Sequence, residues 1–559
     1  MSPARPPEGA HSRLAGPGQG PEGAPASHDE PPAVLVLGLG HSGLAMARWC
    51  ARQGQAVRVW DTRADPPQRA ALAELLPQAV FDAAPLDEQR LAGVQRVLKS
   101  PGLAPADARI APLLAAARAR GIAVHGELDL YQQALAALRE ARGYAPRVLA
   151  VTGTNGKTTV TALTAQLVAR TGLRAQAAGN IGPGLLDALR EALDAEAAGD
   201  AQALPEVWVL ELSSFQLADC ATGFDCDAAV VLNLSQDHLD WHGALAAYAA
   251  VKARVYGQRA LMVVNRDDPA VEAMVPVAGP AAAAARGGRG RAAGSAAASE
   301  PRRVVRFGLD APQHPGDWGL VEDNGMAWLV RAAAADDGSR RGRRSPGAAD
   351  AAAAPALQRL MPADALRIRG RHNAANALAA LALATAIGCP LAPMLHGLRE
   401  YRGEPHRVQP VGRVGEVEAW DDSKGTNVGA TVAALRGLGA DLAPARIAVI
   451  LGGEGKGQDF APLVEPLLRH ARAVALIGRD ATALEAQLGA ALRAAGIAVQ
   501  TLATLPAATA WCFAAARAGD AVLLSPACAS LDMFRDYAHR AEVFVAAVQA
   551  LAAEQGALA

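Results

Sequence analysis

The stretch 147–160, RVLAVTGTNGKTTV, constrains the rest of the chain more than any other. Its apolar run, Val148 to Val151, predicts a buried strand that breaks at Thr152-Gly153. The tight loop Gly153-Thr154-Asn155-Gly156 then leads into Lys157-Thr158-Thr159 and a helical pattern over 160–170. Glycines let backbone N–H groups close on an anion, and the first turn of a helix adds partial positive charge. In such a loop Lys157 can reach the outer phosphates of a nucleotide, and the Thr158 hydroxyl can ligate Mg²⁺. The spacing is shorter than G-x-x-x-x-G-K-[ST], because Val151 stands where the first glycine is expected. A plain glycine turn is the alternative. Strand, loop, lysine and hydroxyl in this order favour a nucleoside triphosphate site.

The chain has 559 residues, room for roughly three to four domains. With 51% hydrophobic and 19% charged residues it reads as globular, and a net charge of -1 argues against binding nucleic acid through phosphate contacts. The cysteines (Cys50, Cys220, Cys226, Cys389, Cys512 and Cys528) are scattered without a CxxC pair, which fits a reducing compartment and suggests neither zinc nor a disulfide framework. No run reaches the roughly 18 apolar residues of a membrane span, and the Ala-rich run after Asn376 stops at Pro390. The N-terminus lacks a basic-then-apolar signal, so the expected location is the cytosol.

Residues 1–31 are a Pro/Gly/Ala/Ser tail that cannot bury enough surface to order itself. From Ala33 the sequence reads strand, glycine turn, helix. Gly38-Leu39-Gly40-His41-Ser42-Gly43 approximates the dinucleotide fingerprint, and the second strand ends in Asp61. Alone this suggests a Rossmann unit binding NAD, although such a turn could hold any nucleotide diphosphate. Ser100-Pro101-Gly102 is a further loop at a strand's carboxyl end. A second α/β unit has strands expected at 148–151, 207–210, 228–232 and 260–264. It is interrupted by Ala/Gly/Arg inserts at 278–303 and 331–357, read as flexible surface loops. A third unit, from about Pro405, alternates strands at 447–451, 473–477 and 521–524 with helices at 460–472 and 482–495. That alternation predicts a parallel sheet with helices on both faces.

Several residues carry candidate chemistry. Glu211 ends a strand where an acid can hold the Mg²⁺ that bridges terminal phosphates, with a cap on the next turn as the alternative. His238 follows the next strand and suits metal ligation or substrate contact. Lys252, in a helical stretch at 244–256, reads by itself as a solvated lysine. Asn373 and Asn376 can cap the Ala-rich helix that follows Gly370 or grip a purine. Arg407, at the joint into the third unit, can reach over a phosphate. Three polar loops at strand ends, DDSKGTN (421–427), GGEGKG (452–457) and SPACAS (525–530), define one crevice. Their two lysines, with hydroxyls, suit a small dianion such as a dicarboxylate.

Together these motifs resemble the Mur ligases of bacterial peptidoglycan synthesis, from Ala33 to about Val548. GTNGKTT, ELSSFQL, the Asp237-His238 pair, GRHNAAN and PHR carry the resemblance to the superfamily, which includes folylpolyglutamate synthase. DDSKGTN, GGEGKGQDF and LSPACASLDMF point within it to the member that adds D-glutamate. In that family the short phosphate loop is the normal form. The resemblance implies an α/β fold of three domains. These are a Rossmann-like N-terminal domain binding a UDP substrate (32–145), a central P-loop-type ATP-binding domain (146–404) and a Rossmann-like C-terminal domain binding the amino acid (405–559).

The resemblance also implies roles. Ser42, Asp61, Thr62, Ser100, Pro101 and Gly102 would hold the uridine diphosphate. Gly153, Thr154, Asn155, Gly156, Lys157, Thr158 and Thr159, with Asn373, Asn376, Arg407 and Asp422, would hold ATP. Thr158, Glu211, His238 and a carbamylated Lys252 would serve two Mg²⁺ sites, with Lys157, His238 and Lys252 catalytic. Asn180 and Ser213 would face the muramoyl substrate. Lys424, Thr426, Lys456 and Ser530 would hold the D-glutamate carboxylates, with Tyr537 standing where the family has Phe. The substrates implied are ATP, D-glutamate and UDP-N-acetylmuramoyl-L-alanine. They would be joined through an acyl phosphate by a cytoplasmic monomer with no nucleic-acid partner and no membrane span. Alternatives are a superfamily ligase for another acid, an NAD-dependent oxidoreductase with an appended ATP module, and a non-enzymatic P-loop scaffold.

Overall fold

The computed structural model describes residues 33–276, 302–333 and 355–558. The tail at 1–31 and most of both expected inserts lie outside the described residues. Three sheets follow one another along the chain. The first holds β1 (Ala33–Leu37), β2 (Ala56–Trp60), β3 (Val80–Asp82), β4 (Val94–Lys99) and β5 (Ala123–His125), all parallel, in the order 3-2-1-4-5. Every residue of β1 is buried, as a strand covered on both faces requires. Strand order reverses between β1 and β4, so the loops after them flank the crevice where open α/β sheets take ligands.

The middle sheet holds β6 (Arg147–Thr152), β7 (Ala175–Gly179), β8 (Val207–Glu211), β9 (Ala228–Val231), β10 (Leu261–Asn265), β11 (Val304–Phe307), β12 (Trp318–Asp323), β13 (Met326–Ala333) and β14 (Ala356–Pro362). Its order is 14-13-12-11-10-9-6-8-7, parallel except that β13 runs antiparallel to both β12 and β14. The expected strands correspond to β6, β8, β9 and β10. The expected inserts are too wide at their ends. β13 runs to Ala333 and β14 starts at Ala356. Before β11, the carbonyl of Arg303 accepts from Met262 N–H at 2.9 Å. These ends pair with neighbouring strands although their Ala/Arg composition has no apolar period.

The third sheet holds β15 (Gln409–Val414), β16 (Val417–Asp421), β17 (Ile447–Gly452), β18 (Ala471–Ile477), β19 (Ala498–Thr501) and β20 (Ala521–Leu524), in the order 15-16-20-17-18-19. The all-parallel expectation fails at one edge. β15 pairs antiparallel with β16, because only the two-residue turn at Gly415 separates them. The helix expected at 460–472 is a 3₁₀ turn, Ala461–Leu463, followed by a short helix, Val464–His470; the apolar run from Ala471 is already strand β18.

The first and middle units share one apolar core. Tyr131, on the helix Glu127–Arg142, meets Trp208 of β8 edge-on at 5.8 Å, and Leu128, Leu185 and Leu210 belong to the same buried cluster. Polar contacts reinforce that seam. Asp129 accepts from the N–H groups of Ala221 and Thr222 and from the Thr222 hydroxyl, and Lys99 pairs with Asp219 at 2.8 Å, both side chains buried. Desolvation offsets much of that buried pair's Coulomb gain. The third unit has its own cores, and among the described residues no apolar cluster spans it and the middle unit. Those two units meet through polar side chains and loops instead.

Candidate active site

The phosphate-type loop leaves the carboxyl end of β6, which lies inside the sheet between β8 and β9. Gly153 has φ +148, and a Cβ there would approach Leu232 N at 3.1 Å; Gly156 has φ +84, and its Cβ would strike Asn376 Oδ1 at 2.7 Å. Both glycines are therefore required by fold and by close approach. The helix Lys157–Ala169 starts directly behind them, and it packs against the buried helix Arg371–Ala386. Lys157 Nζ folds over the loop, donating to Gly153 O at 3.0 Å and Thr154 O at 2.8 Å. Burial lowers its pKa, Glu211 raises it and Arg407 lowers it. The Thr158 hydroxyl accepts from Arg407 Nη2 at 2.9 Å, so the arginine at the unit joint reaches the loop.

Glu211 ends β8 with 2% exposure. Asn180 Nδ2 donates to its Oε1 at 2.8 Å, while Oε2 is buried without a partner. An orphaned carboxylate oxygen beside Lys157 and Thr158 suits a hard cation. Among the described residues no group of three or more His, Cys, Asp or Glu side chains converges. A magnesium ion here would therefore draw its remaining ligands from Thr158, from nucleotide phosphates and from water. The donor set fits Mg²⁺ on those terms.

Lys252, on the helix Leu245–Ala253, is 1% exposed. Its Nζ donates to Gly153 O at 2.8 Å and Thr152 Oγ1 at 3.3 Å, and lies 4.6 Å from the centre of the Tyr248 ring. Burial, then the Lys157 charge, hold its pKa well below the usual lysine value. The sequence reading of a solvated lysine is corrected: the helix turns this side chain under the loop. His238 has φ +53, packs edge-on to Phe215 at 4.7 Å and sits 3.6 Å from Asp237. Burial lowers its pKa, Asp237 raises it and Lys456 lowers it, so a third-unit lysine faces a middle-unit histidine.

Two cavities straddle the joint between those units. One, of about 350 Å³, is lined by Asn155, Gly156, Thr159, Asn373, Asn376, Arg407 and Asp422. The other, of about 110 Å³, is lined by Asp237, His238, Thr426, Lys456 and Gln458. Lys424 lies 5.2 Å from the centre of the Tyr537 ring; burial first, then Arg407, lowers its pKa. Asp422 is buried, accepts from Ser525 Oγ at 2.7 Å and from Val408 N–H at 3.3 Å, and burial pushes its pKa up to about 7. Ser530 is buried on the third of the polar loops.

In the first unit the loops after β1, β2 and β4 touch. A Cβ on Gly38 would meet Ser100 Cβ at 2.9 Å, and Asp61 Oδ2 accepts from Leu39 N–H at 2.7 Å. Burial raises the Asp61 pKa, but Arg63 and the Leu39 N–H outweigh it and keep the carboxylate ionised. Thr62 follows Asp61 and donates to it at 3.4 Å. Ser42 bonds to the buried Glu127, which also accepts from Leu186 N–H at 3.2 Å. Pro101 and Gly102 continue the loop from Ser100.

Matches to protein families cover most of this architecture. The Mur ligase MurD-like N-terminal domain matches 32–126, the Mur ligase middle domain 151–292, and the Mur ligase glutamate ligase domain 406–528. A protein of Albidiferax ferrireducens named UDP-N-acetylmuramoylalanine–D-glutamate ligase is 57% identical over 538 residues, 94% of this chain and 97% of its own length. The chain belongs to the Mur ligase family. A Burkholderia mallei protein of the same name is 55% identical over 94% of this Mur ligase and 98% of its own length. The solved MurF ligase of Thermotoga maritima in complex with ADP shares the fold, with a TM-score of 0.52 at 15% identity over 89% of this chain and 96% of that one.

In this Mur ligase Asn155, Gly156, Thr159, Asn373, Asn376, Arg407 and Asp422 of the expected nucleotide residues line one cavity, while Gly153, Thr154, Lys157 and Thr158 do not, and His238, Thr426 and Lys456 line a second. Besides Ser42 and Asp61, whose protein partners are given above, two more expected substrate residues are engaged elsewhere. Asn180 holds Glu211, and Ser213 caps the helix Ser214–Asp219, its Oγ accepting from Gln216 N–H at 3.2 Å. Two residues outside the expected set also matter. Asn427 exchanges amide hydrogen bonds with Asn155 at 3.1 and 3.3 Å, and it caps the helix Val428–Leu442 through Ala430 N–H at 2.9 Å. An Asn before a helical pattern is a readable cap signal; its bond to the loop is not readable. Arg540, fully buried, donates to Ser423 O at 2.7 Å and Cys528 O at 3.1 Å, tying two of the polar loops together. Nothing in its sequence surroundings marks it.

Proposed function

We propose that this chain is an ATP-dependent ligase that joins D-glutamate to UDP-N-acetylmuramoyl-L-alanine, in the synthesis of peptidoglycan precursors. One observation carries the reading. The phosphate-type loop and the small cavity of His238, Thr426 and Lys456 meet at one joint, with Arg407 bonded to Thr158 across it. The names of the two curated relatives support the choice of D-glutamate.

In this reading the unit 32–145 holds uridine diphosphate through Ser42, Asp61, Thr62, Ser100, Pro101 and Gly102, and points the L-alanyl carboxylate at the middle unit. Asn180 and Ser213 border that path. Lys157 and the N–H groups of Gly153 to Thr159 hold the phosphates. Asn373, Asn376, Arg407 and Asp422 line the adenosine side. The carboxylate attacks the γ-phosphorus, ADP departs, and an acyl phosphate results. Lys456, Lys424, Thr426 and Ser530, beside Tyr537, hold the two carboxylates of D-glutamate. Its amine attacks the acyl carbon, and the tetrahedral adduct expels phosphate. His238 lines the smaller cavity beside Lys456 and Thr426.

Magnesium at two sites, held by Thr158, Glu211, His238 and Lys252, would supply charge neutralisation on the transferring phosphoryl group. Lys252 as a free ammonium would repel such a cation. Burial and the Lys157 charge shift it toward the neutral amine, the form that adds to CO₂ with loss of a proton and becomes a carbamate. The same reading makes the enzyme a cytoplasmic monomer without a nucleic-acid partner. Among the described residues no helix is long and apolar enough to cross a membrane. A phosphate-release assay with the UDP-linked substrate tests the choice of amino acid. Release is expected with D-glutamate and not with L-glutamate, L-alanine or meso-diaminopimelate; activity with one of the others alone would refute it.

A further inference from the structure

A third cavity, of about 430 Å³, adjoins the nucleotide pocket on the far side of Asn373 and Arg407, and none of its lining belongs to the phosphate loop. It is lined by four arginines, Arg367 and Arg369 before the helix Arg371–Ala386, Arg402 in the connecting segment, and Arg407, together with Trp420 of β16. Arg367, Arg369 and Arg402 are exposed and form no ion pair among the described residues. Their neighbour Arg371, by contrast, is paired with Glu322. Asp441 feels the charge of Arg369 but does not line the cavity, and Glu404 on the nucleotide side accepts from the Tyr401 hydroxyl at 2.8 Å.

Two buried donors at this wall are also unsatisfied, the Trp420 indole N–H and Arg407 Nε. Both atoms lie beneath the surface and do not face an occupant; the cavity's own unpaired donors are the three guanidinium groups of Arg367, Arg369 and Arg402. The chain's net charge of -1 excludes general basicity as the reason for such a cluster. Guanidinium forks match phosphate oxygens in pairs, and several of them around one cavity need more than one negative charge to balance them.

We propose that this cavity is a second anion site, taking a small molecule that carries a diphosphate group, separate from the nucleotide held by the loop at Gly153. Its walls come from the middle unit (Arg367, Arg369), the connecting segment (Arg402) and the third unit (Arg407, Pro410, Trp420), with Arg407 the third unit's donor. An occupant therefore bonds both sides of a joint that has no shared apolar core, and it favours the arrangement in which the two units are together. The inference goes beyond the ligase reading and does not depend on which amino acid is added.

The test is calorimetric titration of the full chain with pyrophosphate. The phosphate loop is first saturated with a non-hydrolysable ATP analogue, with magnesium in excess over both. A parallel titration uses GDP, to tell a free diphosphate from one carried on a nucleoside. The site predicts one further binding event per chain for pyrophosphate, GDP or both. In the variant Arg367→Gln/Arg369→Gln/Arg402→Gln that event weakens by about tenfold or more, while affinity for the ATP analogue is unchanged. The single variant Arg402→Gln should weaken it in part and guards against misfolding of the triple change. No further event in the saturated protein, or an event of equal strength in the triple variant, would overturn the proposal. Normal binding of the ATP analogue in that experiment keeps such a failure distinct from failure of the ligase reading.

Discussion

At the scale of single residues, Lys252 shows how environment changes chemistry. A lysine one turn from the end of a helix is ordinarily solvated and charged. Here it is buried under the phosphate-type loop near Lys157, and both effects favour the neutral amine. Lys252→Arg keeps a cation but cannot form a carbamate, so turnover should fall by on the order of a hundredfold or more while the fold is retained. Nuclear magnetic resonance in ¹³C-labelled bicarbonate should reveal one carbamate carbon in the natural chain and none in the variant. A signal of equal size in both would contradict the assignment. Glu211 makes the complementary case, with one oxygen held by Asn180 and the other left for a cation.

At the scale of elements, the working parts are loops at the carboxyl ends of strands, each stiffened from behind. Asn427 serves two elements at once, capping the helix Val428–Leu442 and bonding to Asn155. Asn427→Ala should cost about 1 kcal/mol in urea unfolding, the usual value of a lost cap, and should raise KM for D-glutamate through the loosened loop. A change in stability with KM unmoved would leave Asn427 as a cap only. Much of this level was legible in the sequence. Strands β6, β8, β9, β17 and β20 are buried on both faces and therefore read as apolar runs, and glycine- or lysine-bearing loops after them mark the site. β13 and β14 were not legible at their outer ends, because Ala-rich segments carry no period and pairing alone makes them strands. The burial of Lys252, which only the family resemblance singled out, and of Arg540 was not legible for another reason. Their burial depends on partners far along the chain, such as Thr152, 100 residues before Lys252.

At the scale of the whole molecule, the seams differ. The first two units share an apolar core, whereas the third meets the middle one through polar bonds such as Arg407 to Thr158 and Asn427 to Asn155. Those contacts are the ones a change of pH or ligand can alter. Asp422 has a pKa raised to about 7, against roughly 3.9 in the unfolded chain. Its contribution to stability is complete below the unfolded value and is lost as pH rises through about 7. Asp219, also raised to about 7 by burial, gives a slope of the same sign. Urea unfolding of the nucleotide-free chain should therefore show a midpoint that falls between pH 5 and pH 8. In Asp422→Asn the fall should be smaller by on the order of 1–3 kcal/mol, and an identical slope in both would contradict the burial argument. The central claim is that the phosphate loop and the third unit's lysines act on one carboxylate that becomes phosphorylated. The most direct measurement of it supplies the UDP-linked substrate with ¹⁸O in its L-alanyl carboxylate, together with ATP, magnesium and D-glutamate. One ¹⁸O in each released phosphate is the predicted result; phosphate free of the label would contradict it.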